Sequence, residues 1–269
     1  MQQTRWILAI LLLGGCPGDL PDAPADRAVQ DGWPWADPDG GGVISQQNTT
    51  SGACVASVDG ETLALYTFDA DHADQDGTVT DATGARDGKI VGSGVSYVDG
   101  RPGCGKAVAF SGEGYVEIPS TAALESLKEG SIDFWLRIDG DGQQGVLSRD
   151  AQHTNSPGHL SIMITKERRV RARLQSTSDE FIVDSDKIQD SGWHHVGVCF
   201  GSVKLELHVD GQLRDSETTS VGIAGNKNPL VLGGLSWTSP EGAADPVEYP
   251  LVGALDSVRI SSARRDFSQ

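Results

Sequence analysis

The chain has 269 residues, a formal net charge of −17 and 34 glycines. That acidity excludes a partner gripped through phosphates, which takes a net basic face, and it disfavours insertion into an anionic leaflet. It suits solubility, and it suits Ca²⁺, which prefers carboxylate and carbonyl oxygens; the length fits one large all-β domain with appendages, or two small domains.

Residues 1–16 carry one basic residue, Arg5, ahead of an apolar run from Trp6 to Leu13. The run is shorter than the roughly 20 residues that span a bilayer as a helix and has the length of a signal-peptide core. Small residues and Cys16 follow. The sequence Leu13-Gly14-Gly15-Cys16 resembles the bacterial lipobox, which implies cleavage before Cys16 and lipid on its thiol. Several acyl chains make such an anchor stable. The alternative is an ordinary secretory signal with an incidental cysteine. Pro17 follows Cys16, where an Asp would be associated with inner-membrane retention; the expected location is therefore the outer membrane or cell surface.

Residues 17–53 interleave five prolines with aspartates, then a glycine run and a polar stretch. No apolar periodicity appears, so the composition predicts a disordered linker. From Cys54 to residue 269 the pattern has period two. Ile132, Phe134, Leu136 and Ile138 alternate with Asp133, Trp135 and Arg137; Leu160, Ile162 and Ile164 alternate with Ser161 and Met163; Leu205, Leu207 and Val209 alternate with Glu206 and His208. This predicts strands with one buried face. Turn signals such as Asp139-Gly140 and Asp210-Gly211 separate them. Ala122 to Lys128 predicts about one helical turn. Many short strands joined by such turns imply an antiparallel sandwich or barrel.

The ordered motifs are Ala64-Leu65-Tyr66-Thr67-Phe68-Asp69, Gly105 to Gly112, Gly114 to Pro119, Ile132 to Arg137, Gly192-Trp193-His194-His195-Val196, Leu207 to Gly211 and Gly253 to Ile260. Together they resemble the laminin-G-like jelly-roll domains of the concanavalin A-like lectin/glucanase superfamily. The resemblance implies an all-β, two-sheet antiparallel sandwich with one concave face. It also implies that Trp193-His194-His195 is structural; adjacent histidines on a strand face opposite ways and do not easily share a metal. A structural Ca²⁺ near the terminal strands is implied too. Asp256 would be one ligand, because it shares parity with Val258 and Ile260 and would point inward. Asp81, with Asp69, Asp71, Asp74 and Asp76, would supply further oxygens. The alternative is that Asp256 bonds to backbone amides and the cluster is a solvated loop.

Three cysteines remain in the folded part. Export predicts a disulfide, and we expect Cys54 with Cys104, leaving Cys199 as a buried thiol. An odd number also allows pairing between chains. Arg169, Arg171 and Arg173 share one face of one strand and repel unless answered. Pairing with Asp179, Glu180, Asp184 or Asp186 answers them; an anionic glycan gripped by Arg171 and Arg173 is the alternative. Trp135 and Trp237, with Tyr115 and Tyr249, are aromatic candidates for a sugar platform.

Retaining glycosidases need two carboxylates about 5 Å apart. Neither Asp133 nor Glu248 has an acidic partner two residues away, and no nucleophile elbow or zinc-protease helix is present. The expected function is a lipid-anchored, non-catalytic surface module that binds carbohydrate or a glycosylated partner. A protein-binding adhesion or structural envelope protein is the first alternative. A glycoside hydrolase with an unrecognised carboxylate pair is the second.

Overall fold

The computed structural model describes residues 54, 57–69, 76–149, 157–201, 203–236 and 247–268. The signal segment, Cys16, the linker, Asp71, Asp74 and Trp237 lie outside them. Two antiparallel sheets pack face to face. The first runs in the order β14 (Gln212–Thr218), β13 (Lys204–Val209), β12 (Trp193–Phe200), β7 (Gly130–Ile138), β16 (Val252–Ser261), β5 (Lys106–Ser111) and β4 (Val95–Asp99), and β1 (Thr62–Tyr66) pairs with β16. The second runs β11 (Glu180–Lys187), β10 (Arg169–Gln175), β9 (His159–Ile164), β8 (Gln144–Arg149), β15 (Leu230–Leu232), β6 (Gly114–Ile118), β3 (Gly88–Gly92) and β2 (Thr78–Val79). One helical turn, α1 (Ala122–Glu125), is capped by the Thr121 side chain. The jelly-roll sandwich implied by the resemblance is present.

The predicted alternation supplies the core. Ile132, Phe134 and Leu136 of β7 meet Leu160, Ile162 and Ile164 of β9 in one buried cluster. A fully buried side chain such as Phe134 contributes about 1.5–3 kcal/mol. Arg149 is the exception, a fully buried cation. Its guanidinium donates to the carbonyls of Leu124, Ile223, Asn226 and Asn228 and to Ser120 Oγ. Desolvation lowers its pKa to about 10, so it stays charged at neutral pH, and its bonds to those oxygens offset the cost of burial.

Register decides which loops share an end. Trp193 opposes Arg137, Gly253 opposes Ile138, Val252 opposes Ser111 and Lys187 opposes Arg169. The connections 139–143, 165–168, 188–192 and 210–211 therefore gather at one rim with Tyr249 and Val252. Cys54 and Cys104 form the expected disulfide at the β4–β5 connection, where Arg101 donates both to the Cys54 carbonyl and to Asp256 in the middle of β16, and Cys199 is free and buried. Burial pushes the Cys199 thiol up to about 11. The edge strands β11 and β14 come together through side chains: Ile182 N–H donates to Glu217 Oε2 at 2.7 Å, and Asp184 N–H to Asp215 Oδ2 at 3.0 Å. Carboxylates thus satisfy edge amides that would otherwise invite another strand.

One sequence expectation is corrected. Asp256 does not share a face with Val258 and Ile260. A bulge between Asp256 and Arg259, with Ser257 at φ 53°, resets the alternation. Leu255 and Val258 point into the core, and Asp256 sits on the outer face opposite Trp135.

Candidate functional site

The outer face of the first sheet carries Asp133, Trp135 and Arg137 of β7, and His195 and Gly197 of β12. Most of it is sealed. Arg259 donates twice to Asp133, at 2.9 and 3.0 Å, and His195 Nε2 lies 3.3 Å from the same carboxylate. The C-terminal segment crosses above. Ser131 Oγ donates to the Ala263 carbonyl and Cys199 Sγ to that of Arg265. Phe267 is buried against Gly197, where any Cβ would collide with its ring, and it meets His195 and His208 edge-on. Arg265 bonds Asp59 twice and holds its carboxyl well below the usual range.

Trp135 is enclosed in the same layer. Arg101 stacks 4.1 Å over its ring, and the His195 ring lies 5.2 Å away. The indole therefore has a cation where a sugar would stack. Asp133, the nearest carboxylate to a catalytic candidate, is locked to a guanidinium, and Glu248 lies elsewhere, in a bridge with Leu235.

Asp81 and Asp256, the two principal carboxylates expected to hold Ca²⁺, are engaged by donors. Asp81 Oδ1 accepts from the amides of Leu65 and Thr83, and its Oδ2 from the Thr83 hydroxyl. Asp256 Oδ1 accepts from Ser257 Oγ, and its Oδ2 faces Arg101 Nε at 3.4 Å. Burial pushes the Asp256 carboxyl up, against Ser257 and Arg101. A guanidinium beside one carboxylate and amide donors on the other do not fit a cation site. Among the described residues no three His, Cys, Asp or Glu side chains gather as a metal-binding group.

Arg171 and Arg173 lie on the outer face of the second sheet, not with Trp135. Asp184 clamps Arg171 through two bonds of 2.7 Å. Arg173 donates to Glu180 and to Gln175. Cross-strand pairing thus answers the repulsion along the ladder, and the forks are already filled.

Among the described residues, an open cleft of about 230 Å³ lies at the rim, where β11 and β14 meet. The end of β11 and the following turn contribute Asp186, Lys187 and Asp190, β12 contributes His194, the β13–β14 turn Asp210, and β14 Arg214. His194 is held between two carboxylates, with Nδ1 2.8 Å from Asp210 Oδ2 and Nε2 3.1 Å from Asp190 Oδ1. A neutral ring donates to one of them, a protonated ring to both. The Gly192 amide, and then His194, hold the Asp190 carboxyl below its usual range. Asp210 Oδ1 also accepts from the His195 amide at 2.9 Å, which fixes the turn. Arg214 reaches Asp186 at 3.4 Å. Most of these groups keep free lone pairs or N–H groups towards solvent. Such an arrangement can bind a small polyhydroxylated unit through several hydrogen bonds; its volume falls below the roughly 300–1,000 Å³ of drug-sized pockets.

Sequence reasoning did not single out this cleft. Its residues come from two separate turns, 188–192 and 210–211, and the strand ends beside them, and each alone reads as turn or strand-end chemistry. The Asp210-Gly211 turn and the Trp193-His194-His195 motif were visible, but their convergence depends on how the two sheet edges meet.

Solved structures of similar fold include domain 4 of AbnA, a GH43 extracellular arabinanase from Geobacillus stearothermophilus, in complex with arabinotriose. It matches with a TM-score of 0.56 at 20% identity, over 78% of this chain and 98% of that one. The binding domain of Paraclostridial Mosquitocidal Protein 1 matches at 0.56 and 14% identity, over 77% of this chain and 50% of that one. The binding domain of Botulinum neurotoxin DC in complex with rat synaptotagmin II matches at 0.55 and 16% identity, over 78% of this chain and 50% of that one. This chain therefore spans about half the length of the two toxin domains. No curated protein matches it in sequence. A family model described as the concanavalin A-like lectin/glucanases superfamily matches residues 110–266, more than half of the chain. With the sandwich and its strand order in place, the chain belongs to that superfamily.

Proposed function

We propose that this protein is a non-catalytic carbohydrate-binding module that takes its ligand at the rim cleft around His194. The observation that carries this is the convergence of Asp190, His194, Asp210 and Arg214 in an open cleft, with His194 held between Asp190 and Asp210 and Arg214 by Asp186. Fixed polar groups recognise sugar hydroxyls with little loss of side-chain freedom on binding. The fold is compatible with this use, since a domain of the same fold holds arabinotriose. Cys54 is pinned by its disulfide to the β4–β5 connection, on the side of the first sheet away from β14. With lipid on Cys16 and residues 17–53 as a tether, attachment and recognition fall at opposite edges of the first sheet, β4–β5 and β14. The location in this proposal is the outer membrane or cell surface.

A glycan array probed with residues 54–269 tests the binding role. Retention of a defined glycan class, lost in His194→Ala, is the expected result; silence across the array sinks it. Mass spectrometry of the mature N-terminus tests the anchor, which predicts a diacylated Cys16. A protein-binding adhesion role is the second reading, favoured by a domain of this fold seen in complex with synaptotagmin. Envelope partners that survive periodate treatment of their glycans support it over the first. Release of reducing sugar from a bound glycan would instead point to hydrolysis.

A further inference from the structure

The rim continues beyond the cleft to an exposed aromatic ring. Tyr249 is 45% exposed and Val252 37%, although both stand directly before or within a strand whose other side chains are mostly buried. Tyr249 has a φ of 49°, in the left-handed region that costs a residue with a Cβ free energy. The backbone around it is held on both sides. Its carbonyl accepts from Gly145 N–H at 2.6 Å, Glu248 and Leu235 exchange both backbone bonds, and Val252 N–H donates to Gln144 Oε1 at 2.8 Å. A strained backbone kept rigid so that a ring faces water does nothing for the core. Strain of this kind persists where the surrounding structure over-determines it, and it clusters at binding sites.

Two contacts run from Val252, three residues after Tyr249, towards the cleft. The β7–β8 turn packs on Val252, since a Cβ at Gly140 would fall 2.7 Å from the Val252 Cβ. Arg168, itself at φ 60°, donates to the carbonyls of Gly140, Ile188 and Asp190. It ties the turn beside Val252 to the turn that carries Asp190. A chain molecule lying along the rim would meet hydrogen-bonding charges at His194 and an apolar ring face at Tyr249. An aromatic ring with a polar tip suits a sugar, whose ring presents a C–H face and hydroxyl edges.

We infer that Tyr249 is the stacking platform of a second subsite, so that the ligand is a linear oligosaccharide and not a single sugar. This rests on the proposal that the His194 cleft binds carbohydrate. The test is calorimetric titration of the purified full-length protein with the mono-, tri- and hexasaccharides of the cello-, xylo- and arabino- series. In a series that binds, affinity is expected to rise with chain length. Tyr249→Gly is expected to lower hexasaccharide affinity about tenfold, the order of one aromatic contact, and to leave monosaccharide affinity unchanged. Glycine relieves the positive φ, so this variant is expected to fold at least as well as the parent. Tyr249→Phe is expected to retain the gain with chain length. Equal affinity for mono- and hexasaccharide, or an unchanged hexasaccharide affinity in Tyr249→Gly, overturns the second subsite while leaving the cleft in place. Absence of binding in all three series and on the array removes the carbohydrate proposal, and this inference with it.

Discussion

His194 and His195 are adjacent residues that belong to two differently built regions. Strand alternation sends them to opposite faces. His195 enters the sealed layer on the first sheet, where Arg259 neutralises Asp133 and Phe267 closes the top. His194 opens on the rim cleft, between two carboxylates that water reaches. Both regions are rich in charge. They differ in what lies over them: the C-terminal segment covers one, and the seam between β11 and β14 leaves the other open. A cluster of ionisable groups is a recognition site only if its spare donors and acceptors meet solvent.

That contrast is best broken from the sealed side. Asp133→Ala strands Arg259 and His195 without their acceptor, and breaking a buried ion pair in this way costs about 3–5 kcal/mol. A large fall in the urea midpoint is expected, and an unmoved midpoint would mean that the layer is open. Phe267→Ala is expected to cost about 3 kcal/mol, the lower range for a buried aromatic truncation, with Cys199 becoming reactive to thiol reagents as the C-terminal segment loosens.

Proton linkage gives a smaller effect. Burial holds the His208 pKa below its ordinary value, with Arg264 and Lys204 lowering it further and Glu206 and Asp266 opposing. The unfolded chain therefore takes up the proton at higher pH than the folded one. Stability from this site is full above the ordinary histidine pKa and falls as pH drops towards the depressed folded value. Thermal melts between about pH 8 and pH 5 are expected to show this slope in the parent and a reduced slope in His208→Gln. His194→Ala removes a ring that is 13% exposed and bridges Asp190 and Asp210, so a loss of about 1 kcal/mol, the usual size for a point change, is expected beside its loss of ligand.

Much of the sandwich was legible because period-two alternation is a local property. Leu205 to Val209 reads as a half-buried strand and is one, whereas Ile132 to Ile138 keeps the predicted alternation of faces but has its outer side largely covered as well. The Cys54–Cys104 bridge followed from export and from the placement of both cysteines beside strand ends. Asp256 was misplaced because parity counting assumes an unbroken ladder, and the bulge at Ser257 inserts a residue that no alternation pattern announces. The Arg ladder was correctly read as a like-charge problem, and the register with Asp184 supplies its answer. Trp135 could not be separated from an open platform, since Arg101 reaches it from a turn more than thirty residues away in sequence. The cleft was hidden for the same reason: it exists only where two sheet edges converge.

The central claim is that recognition occurs at the rim and not in the sealed layer. Amide chemical-shift mapping during titration with a glycan retained on the array tests it most directly. Perturbations confined to residues 185–194 and 209–214, extending to 249–252 for longer chains, are the predicted result. Perturbations centred on Asp133, Trp135 and Phe267, with the rim unchanged, would contradict the account.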